Sequence, residues 1–253
     1  VVKGADAIEA YSKEIISDLT KIPVGRCRYG ALLNDAAGII DDLITFRMAE
    51  DELYVVTNAG PLEHVTERLC ANNPGMEHVS FETAKIDIQG PLARDCALKA
   101  GFADADALKY FNAVWTTWEG HRILLARTGY TGELGYELFM PNDLAETVWN
   151  RFNEMDDVEP AGLGARDTLR AEVGYGLSGQ DFDMTYTPLE SNMNPFIDWD
   201  SDFVGKDALE AQRDANDYSV LVPIQTNTRK SPRHGFEVFH KGTLVGEVTT
   251  GTF

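Results

Sequence analysis

Two adjacent aspartates interrupt an apolar run, GIIDDLITFRM, at residues 38–48. On a strand over 39–47 the period of two places Ile40, Asp42, Ile44 and Phe46 on one face, and Ile39, Asp41, Leu43, Thr45 and Arg47 on the other. Asp42 then stands among apolar neighbours. Aspartate is disfavoured in strands and costly to desolvate, so a carboxylate at that position needs a partner or a purpose. A desolvated carboxylate has its proton affinity raised and suits proton transfer or the stabilisation of a developing cation. The alternative is that Asp42 caps a loop or faces water, and the pattern alone weighs the two equally. Asp41, beside Thr45 and Arg47, is expected to be an ordinary salt-bridge residue.

A second candidate cluster is Arg127-Thr-Gly-Tyr130-Thr-Gly132-Glu133-Leu-Gly135-Tyr136-Glu137. Three glycines in seven residues let the backbone approach something flat, and Tyr130 could stack on it. Glu137 lies in the apolar strand YELFM, where a carboxylate can accept paired N–H groups from an amidine-like edge. A glycine-rich hairpin that is only a turn remains the commoner reading. The third cluster, Gly162-Leu-Gly164-Ala-Arg166-Asp167-Thr-Leu-Arg170, has two glycines of a dinucleotide fingerprint but neither the third glycine nor the strand before it, so that reading is rejected. Arg166 and Arg170 fall one helical turn apart, suited to a carboxylate ligand or to the nearby Asp167 and Glu172.

The elements that must position these residues follow from periodicity. Ala7, Ile8, Tyr11, Ile15, Ile16 and Leu19 recur at helical spacing, which predicts one amphipathic helix over 4–20 behind an Asp6 cap. RYGALL, IIDDLITFRM and LYVVTNA, separated by turn-rich segments, predict a three-stranded antiparallel meander, with a helix over 61–72 after it. KIDIQGP predicts a strand, ARDCALKAG a short helix, and GHRILLARTGYTGELGYELFM two strands joined by a glycine-rich turn. Helices are expected at DLAETVWNRFNEM, GARDTLRAEVG and GKDALEAQRDAN, and strands at VLVPIQ, GFEVFH and GTLVGEVTTG. The class is α+β with a β-rich C-terminal module, and the boundaries expected are 1–82, 83–200 and 201–253.

With 253 residues the chain can bury a real core, and no apolar run reaches the roughly 18 residues of a membrane helix. The N-terminal sequence lacks a signal-peptide pattern. The sequence therefore predicts a soluble intracellular protein, cytoplasmic, or of the mitochondrial matrix in a eukaryote, with no membrane partner. Cys27, Cys70 and Cys96 are odd in number and far apart, which fits neither a disulfide framework nor a zinc site. The five histidines have no ligand spacing, so no metal is expected. Forty-one acidic against 22 basic residues give a net charge of −19, a field that repels phosphate backbones, so nucleic acid is not an expected partner.

Taken in order, GRCRYGALLNDAAGIIDDLI, VVTNA, IQGP, ARTGYTGELGYEL, GLGARDTLRAE, GQDFDMTYTPLE, FVGK and PRHGFEVF with GEVTTGTF resemble the aminomethyltransferase family, the T-proteins of the glycine cleavage system. The likeness runs nearly end to end, and RTGYTGE and GLGARD are its most diagnostic pieces. It implies two α+β lobes and a C-terminal β-barrel-like domain around a folate cavity. Family members also carry an N-terminal FDxSHM-like segment and continue past the equivalent of Phe253, so the resemblance implies a chain short at both ends.

The resemblance further implies transfer of an aminomethyl group from lipoylated H-protein to tetrahydrofolate, with release of ammonia. The family's catalytic aspartate falls on Asp42, in agreement with the strand-face reading. Its folate ligands fall on Tyr29, Ile44, Asn58, Tyr130, Glu137, Arg166 and Arg233: Glu137 for the pterin edge, Tyr29 and Tyr130 for the ring pocket, Arg166 and Arg233 for the folate tail or for orienting neighbours. This chain departs from the family at Phe46 and Phe111, where many members have tyrosine, at Ser178, and at SNMNPFIDW after TPLE. Those departures motivate an alternative within the fold, a folate-dependent demethylase acting on dimethylglycine, sarcosine or another methylated small molecule. A folate-binding scaffold without transferase activity is disfavoured, because the KGCYxGQE-type cysteine motif of such proteins is missing from RTGYTGELG.

Overall fold

A computed structural model describes residues 1–227 and 230–252. In chain order the first elements are β1 (Val2–Lys3), α1 (Ala5–Ser12), β2 (Cys27–Leu33), β3 (Ile39–Ala49), β4 (Glu52–Val56) and α2 (Leu62–Asn72). The four strands form one antiparallel sheet in the order β1-β4-β3-β2. Next come β5 (Thr83–Gln89), α3 (Ala93–Ala100), β6 (Ala113–Trp118), β7 (His121–Ala126), β8 (Gly135–Pro141) and α4 (Ala145–Asn153). They build a second four-stranded sheet in the order β5-β8-β7-β6. Then follow α5 (Leu163–Glu172), α6 (Lys206–Ala215), β9 (Glu237–His240) and β10 (Thr243–Glu247).

The register fixes which side chains share a face, since directly opposed residues of an antiparallel pair point the same way. In the first sheet Cys27 opposes Phe46, Tyr29 opposes Ile44, Ala31 opposes Asp42, and Tyr54 opposes Phe46. That face is the inner one. The other face carries Leu32, Leu43 and Leu53, which pack with Ile8, Tyr11, Val65 and Leu69 under α1 and α2. In the second sheet Asp87 opposes Glu137, and Phe139 is opposed by Lys85 on one side and Leu124 on the other. Its opposite face packs Ile88, Leu125, Tyr136 and Leu138 against α3 and α4.

The two inner faces meet in an aromatic seam. Phe46 lies 5.9 Å from Phe139 between ring centroids, and Tyr54 lies 5.6 Å from Phe139 and 5.9 Å from Trp115. Cys27, Ala113, Leu124 and Ala126 complete the cluster. Each buried aromatic contributes roughly 1.5–3 kcal/mol of apolar transfer, so the seam holds the sheets face to face and fixes the polar residues farther along the same strands.

Two expectations are corrected. The helix over 4–20 ends at Ser12: the Ser12 hydroxyl donates to Ile8 O (2.8 Å) and accepts from Leu19 N (3.1 Å), while Ile15 bridges Leu32 and Ile16 N donates to Ala31 O. The apolar spacing identified residues that are indeed buried, but the edge of β2 captured Ile15 and Ile16 as extended chain. Gly4, not Asp6, is the cap residue of α1. The segment VLVPIQ forms no strand: Pro223 removes a ladder donor, and among the described residues no strand pairs with it. Beyond α6 the described residues hold one hairpin, β9 with β10, and the sheets of the molecule are open. The short β1 and the strand β6 (AVWTTW) were not anticipated. α3 ends as its sequence implies, on Gly101 at φ +103°, whose left-handed conformation lets Gly101 N reach Leu98 O and Phe102 N reach Ala97 O.

Candidate active site

β3 delivers Asp42 to the inner face and Asp41 to the helix-covered one. Asp42 accepts hydrogen bonds from the Tyr29 hydroxyl (2.9 Å) and from Asn58 Nδ2 (2.6 Å). Tyr29 comes from β2, and Asn58 from the turn after β4. Burial raises the Asp42 carboxyl above its ordinary value, and the bonds from Tyr29 and Asn58 offset only part of that shift. Tyr29 is held well above the usual phenol range by burial and by the neighbouring Asp42 charge, and so remains a donor. Ile44 opposes Tyr29 and lines the same face.

Asp41 is not a salt-bridge residue. It is wholly buried, and its two oxygens accept from Asn58 N (3.0 Å) and Asn58 Nδ2 (2.8 Å). Burial pushes its carboxyl up to about 6 against those bonds, with the Asp42 charge adding to the rise. Arg47, its expected partner, turns instead to the carbonyls of Leu19, Thr20, Ala49 and Glu50. The Asn58 amide thus spans both aspartates, a link that only the return of β4 beside β3 creates.

The second wall comes from β5, β8 and the glycine-rich turn before β8. Glu137 is buried; one oxygen accepts from the Thr128 hydroxyl and the other meets the Lys85 ammonium. Lys85 also contacts Asp87 at 3.2 Å. Burial lowers the proton affinity of Lys85, but Glu137 and Asp87 outweigh it and hold the amine above its normal range. Burial raises Asp87, and Lys85 offsets only part of that rise. None of Lys85, Asp87 or Thr128 was singled out from sequence. The alternation in KIDIQ was the available signal: Lys85, Asp87 and Gln89 occupy one face of a strand whose other face is Ile86 and Ile88.

Tyr130 is positioned by a turn wrapped around the Gln89 amide. Gln89 Nε2 donates to Thr128 O (3.2 Å) and Tyr136 O (3.3 Å). A Cβ at Gly129 or Gly135 would come within 2.1 or 1.7 Å of Gln89 Oε1, so a side chain at either position would push the Gln89 amide aside. IQGP and RTGYTGELG are therefore one structural unit. The Tyr130 hydroxyl donates to Gly176 O, its ring stacks on Tyr175 at 5.8 Å, and the Arg166 guanidinium lies 4.4 Å from the ring centroid. Arg166 also faces Asp87 at 3.9 Å. Burial pushes Tyr130 up to about 12, with Arg170 opposing and Asp42 reinforcing the shift. Tyr29, Asp42 and Tyr130 are thus near enough for their charges to influence one another.

Arg170 is fully buried and structural. It donates to Asp167 and Asp181, while Asp181 also accepts from Thr249, Thr250 and Leu177 N. This knot ties α5, which carries Arg166, to the end of the chain. Arg233 is exposed in the C-terminal module, where it donates to Gly251 O (3.2 Å), and it lies on neither inner face. Cys27 and Cys96 are buried and Cys70 half-buried, all as free thiols. Burial, with the Glu137 charge, pushes Cys27 up to about 12, which makes it inert. Among the described residues no cluster of His, Cys, Asp and Glu could hold a metal ion, and no helix is long and apolar enough to cross a membrane.

Two helix-backed sheets that meet in an aromatic seam, with Asp42 on one inner face and Asp87 and Glu137 on the other, define a mixed α/β scaffold. The crystal structure of glycine cleavage system aminomethyltransferase T from Bartonella henselae superposes with a TM-score of 0.88 at 29% identity, covering 100% of this chain and 71% of that one. A family profile described as the GCVT N-terminal domain matches residues 1–201. Relatives named aminomethyltransferase include those of Thermotoga neapolitana, 34% identical over 260 residues, and Saccharopolyspora erythraea, 36% identical over 260 residues; the alignments cover 100% and 99% of this chain and 71% of each relative. The chain belongs to the aminomethyltransferase family, the T-proteins of the glycine cleavage system, and is a transferase of one-carbon metabolism.

Proposed function

We propose that this chain moves the aminomethyl group carried on the lipoyl arm of H-protein to tetrahydrofolate, with Asp42 as the catalytic residue. The methylene carbon forms bonds to two folate nitrogens and breaks those to the lipoyl sulfur and to the amine nitrogen. The two displaced N–H protons end on the thiol and on ammonia. Positive charge develops on the attacking nitrogen, and a desolvated carboxylate held in place by Tyr29 and Asn58 stabilises it without reorganising. Ile44 and Tyr29 line the ring pocket, Glu137 takes the pterin edge, Tyr130 stacks, and Arg166 and Arg233 serve the folate tail.

The observation that carries this reading is the position of Asp42 on the inner face, hydrogen-bonded by Tyr29 and Asn58, with its charge felt at Tyr130 on the other wall. The aminomethyltransferase name of the relatives favours this donor over the methylamines of a demethylase. In the same reading residues 1–82 and 83–200 are the two lobes, and 201–253 are part of a barrel-like module closing a third side, in a protein of the cytoplasm or, in a eukaryote, of the mitochondrial matrix. Isothermal titration with tetrahydrofolate tests the folate site. Single-turnover assays with aminomethylated H-protein, and separately with dimethylglycine or sarcosine, test the donor: product from H-protein alone is expected, and product only from a methylamine would overturn the assignment.

A further inference from the structure

The charged residues around Glu137 can be counted bond by bond. An ionised carboxylate offers about four lone-pair directions. Thr128 uses one on one oxygen of Glu137, and Lys85 one on the other, which leaves one acceptor direction free on each. An ammonium has three N–H donors. Lys85 directs one to Glu137 and one to Asp87, and the third has no protein acceptor among the described residues. Lys85 is one-third exposed and Glu137 is buried beside it, so a ligand on the inner face can meet the remaining donor next to the two remaining acceptors. Phe139 lies beneath the ammonium, 5.8 Å from ring centroid to Nζ, and fixes its height above the sheet.

The flat edge of a 2-amino-4-oxopteridine bears, in order, an amine donor, a ring N–H donor and a carbonyl acceptor. We propose that Lys85 is a specificity-determining residue of this pocket: with Glu137 it presents two acceptors and then one donor to that edge, and so selects a 4-oxo over a 4-amino ring. This rests on the folate reading above. A 4-amino ring turns a donor towards the ammonium and, because its N3 carries no hydrogen, an acceptor towards Glu137, so it loses a charge-assisted bond to each residue. In the competing role Lys85 only neutralises Glu137, and its removal would change affinity for both rings alike.

The test compares binding of tetrahydrofolate and its 4-amino-4-deoxy analogue by isothermal titration to the parent and to Lys85→Met, with thermal melts confirming that the variant folds. The parent should prefer the 4-oxo ring by at least about 100-fold, and Lys85→Met should narrow that preference by at least about tenfold, the part owed to Glu137 remaining. Lys85→Gln, which keeps the reach and an amide that can turn either its donor or its acceptor end to the ligand, should give the same narrowing if the methionine variant unfolds. An unchanged preference in a folded variant overturns the role of Lys85 and leaves the folate site standing. If the parent binds neither compound, the folate reading itself fails.

Discussion

Asp41 and Asn58 are joined twice, by Asn58 N to Asp41 Oδ2 at 3.0 Å and by Asn58 Nδ2 to Asp41 Oδ1 at 2.8 Å. The double link fixes both the position of the turn after β4 and the rotation of its amide. The second Nδ2 hydrogen is thereby aimed at Asp42, with Nδ2 itself 2.6 Å from Oδ1. One aspartate orients the other through a shared asparagine.

Asp42→Asn should leave the fold and most tetrahydrofolate affinity intact while lowering turnover by at least about 100-fold, the scale for a positioned acid-base or electrostatic group. Single-turnover rates at saturating folate measure this. A loss below about tenfold would remove Asp42 from the chemistry.

Strand-face reasoning makes a change at Asp41 matter much less than one at Asp42; its bonds to Asn58 say how it acts. Asp41→Asn puts an N–H₂ donor against the donors of Asn58, so the amide must rotate away from Asp42. Turnover should fall by about tenfold, less than for Asp42→Asn, with the acid limb of the rate profile displaced. A variant that matches the parent at every pH would mean that the amide needs no such guide.

The same carboxyl sets a pH dependence of stability. Its folded value of about 6 lies above the ordinary 3.8, so the folded state binds this proton more tightly than the unfolded chain does. Its burial therefore costs nothing below about pH 4, and the penalty grows to roughly 3 kcal/mol as pH rises past 6. Denaturant midpoints of parent and Asp41→Asn across this window should move against the parent with rising pH; a parallel pair of curves would contradict the sign.

Arg170 and Asp181 form a buried ion pair with side chains 2% and 3% exposed. Arg170→Met strands the Asp181 charge and should cost about 3–5 kcal/mol. Burial alone would raise Asp181, but its bonds from Thr249, Thr250, Leu177 and Arg170 hold it below the normal range. The stability it provides is present at neutral pH and disappears as pH falls through that lowered value. Urea melts at neutral and acid pH separate the two effects.

Gly135→Ala drives a methyl into Gln89 Oε1 and should displace the amide that holds the Tyr130 turn. The expected cost is about 1–3 kcal/mol for the lost buried hydrogen bonds, together with weaker tetrahydrofolate binding. Unaltered affinity at the reduced stability would show that Tyr130 does not depend on this support.

Much of the site was legible because it lies on strands. A period of two sorted Asp41 from Asp42 without coordinates, and glycines at 129, 132 and 135 marked a turn. What stayed hidden was pairing between distant segments. Nothing local to Lys85 or Asp87 announces Glu137, which lies about fifty residues away and is brought opposite by the β5–β8 register. Nor does the apolar spacing of Ile15 and Ile16 reveal that a sheet edge takes them from α1. Arg233, carried over by resemblance alone, lies on neither inner face.

The amino-acid sequence by itself determined most of the strands, β2 to β5 and β7 to β10, and the opposite sides on which Asp41 and Asp42 emerge, because alternation and turn chemistry act over a few residues. Only the tertiary structure decided which acid is bonded to which donor. Those contacts depend on two sheets closing over one aromatic seam and on helices covering their outer faces: the desolvation that raises Asp42 and Asp87 exists only once the sheets have met, and that of Asp41 only once α1 and α2 cover the first sheet.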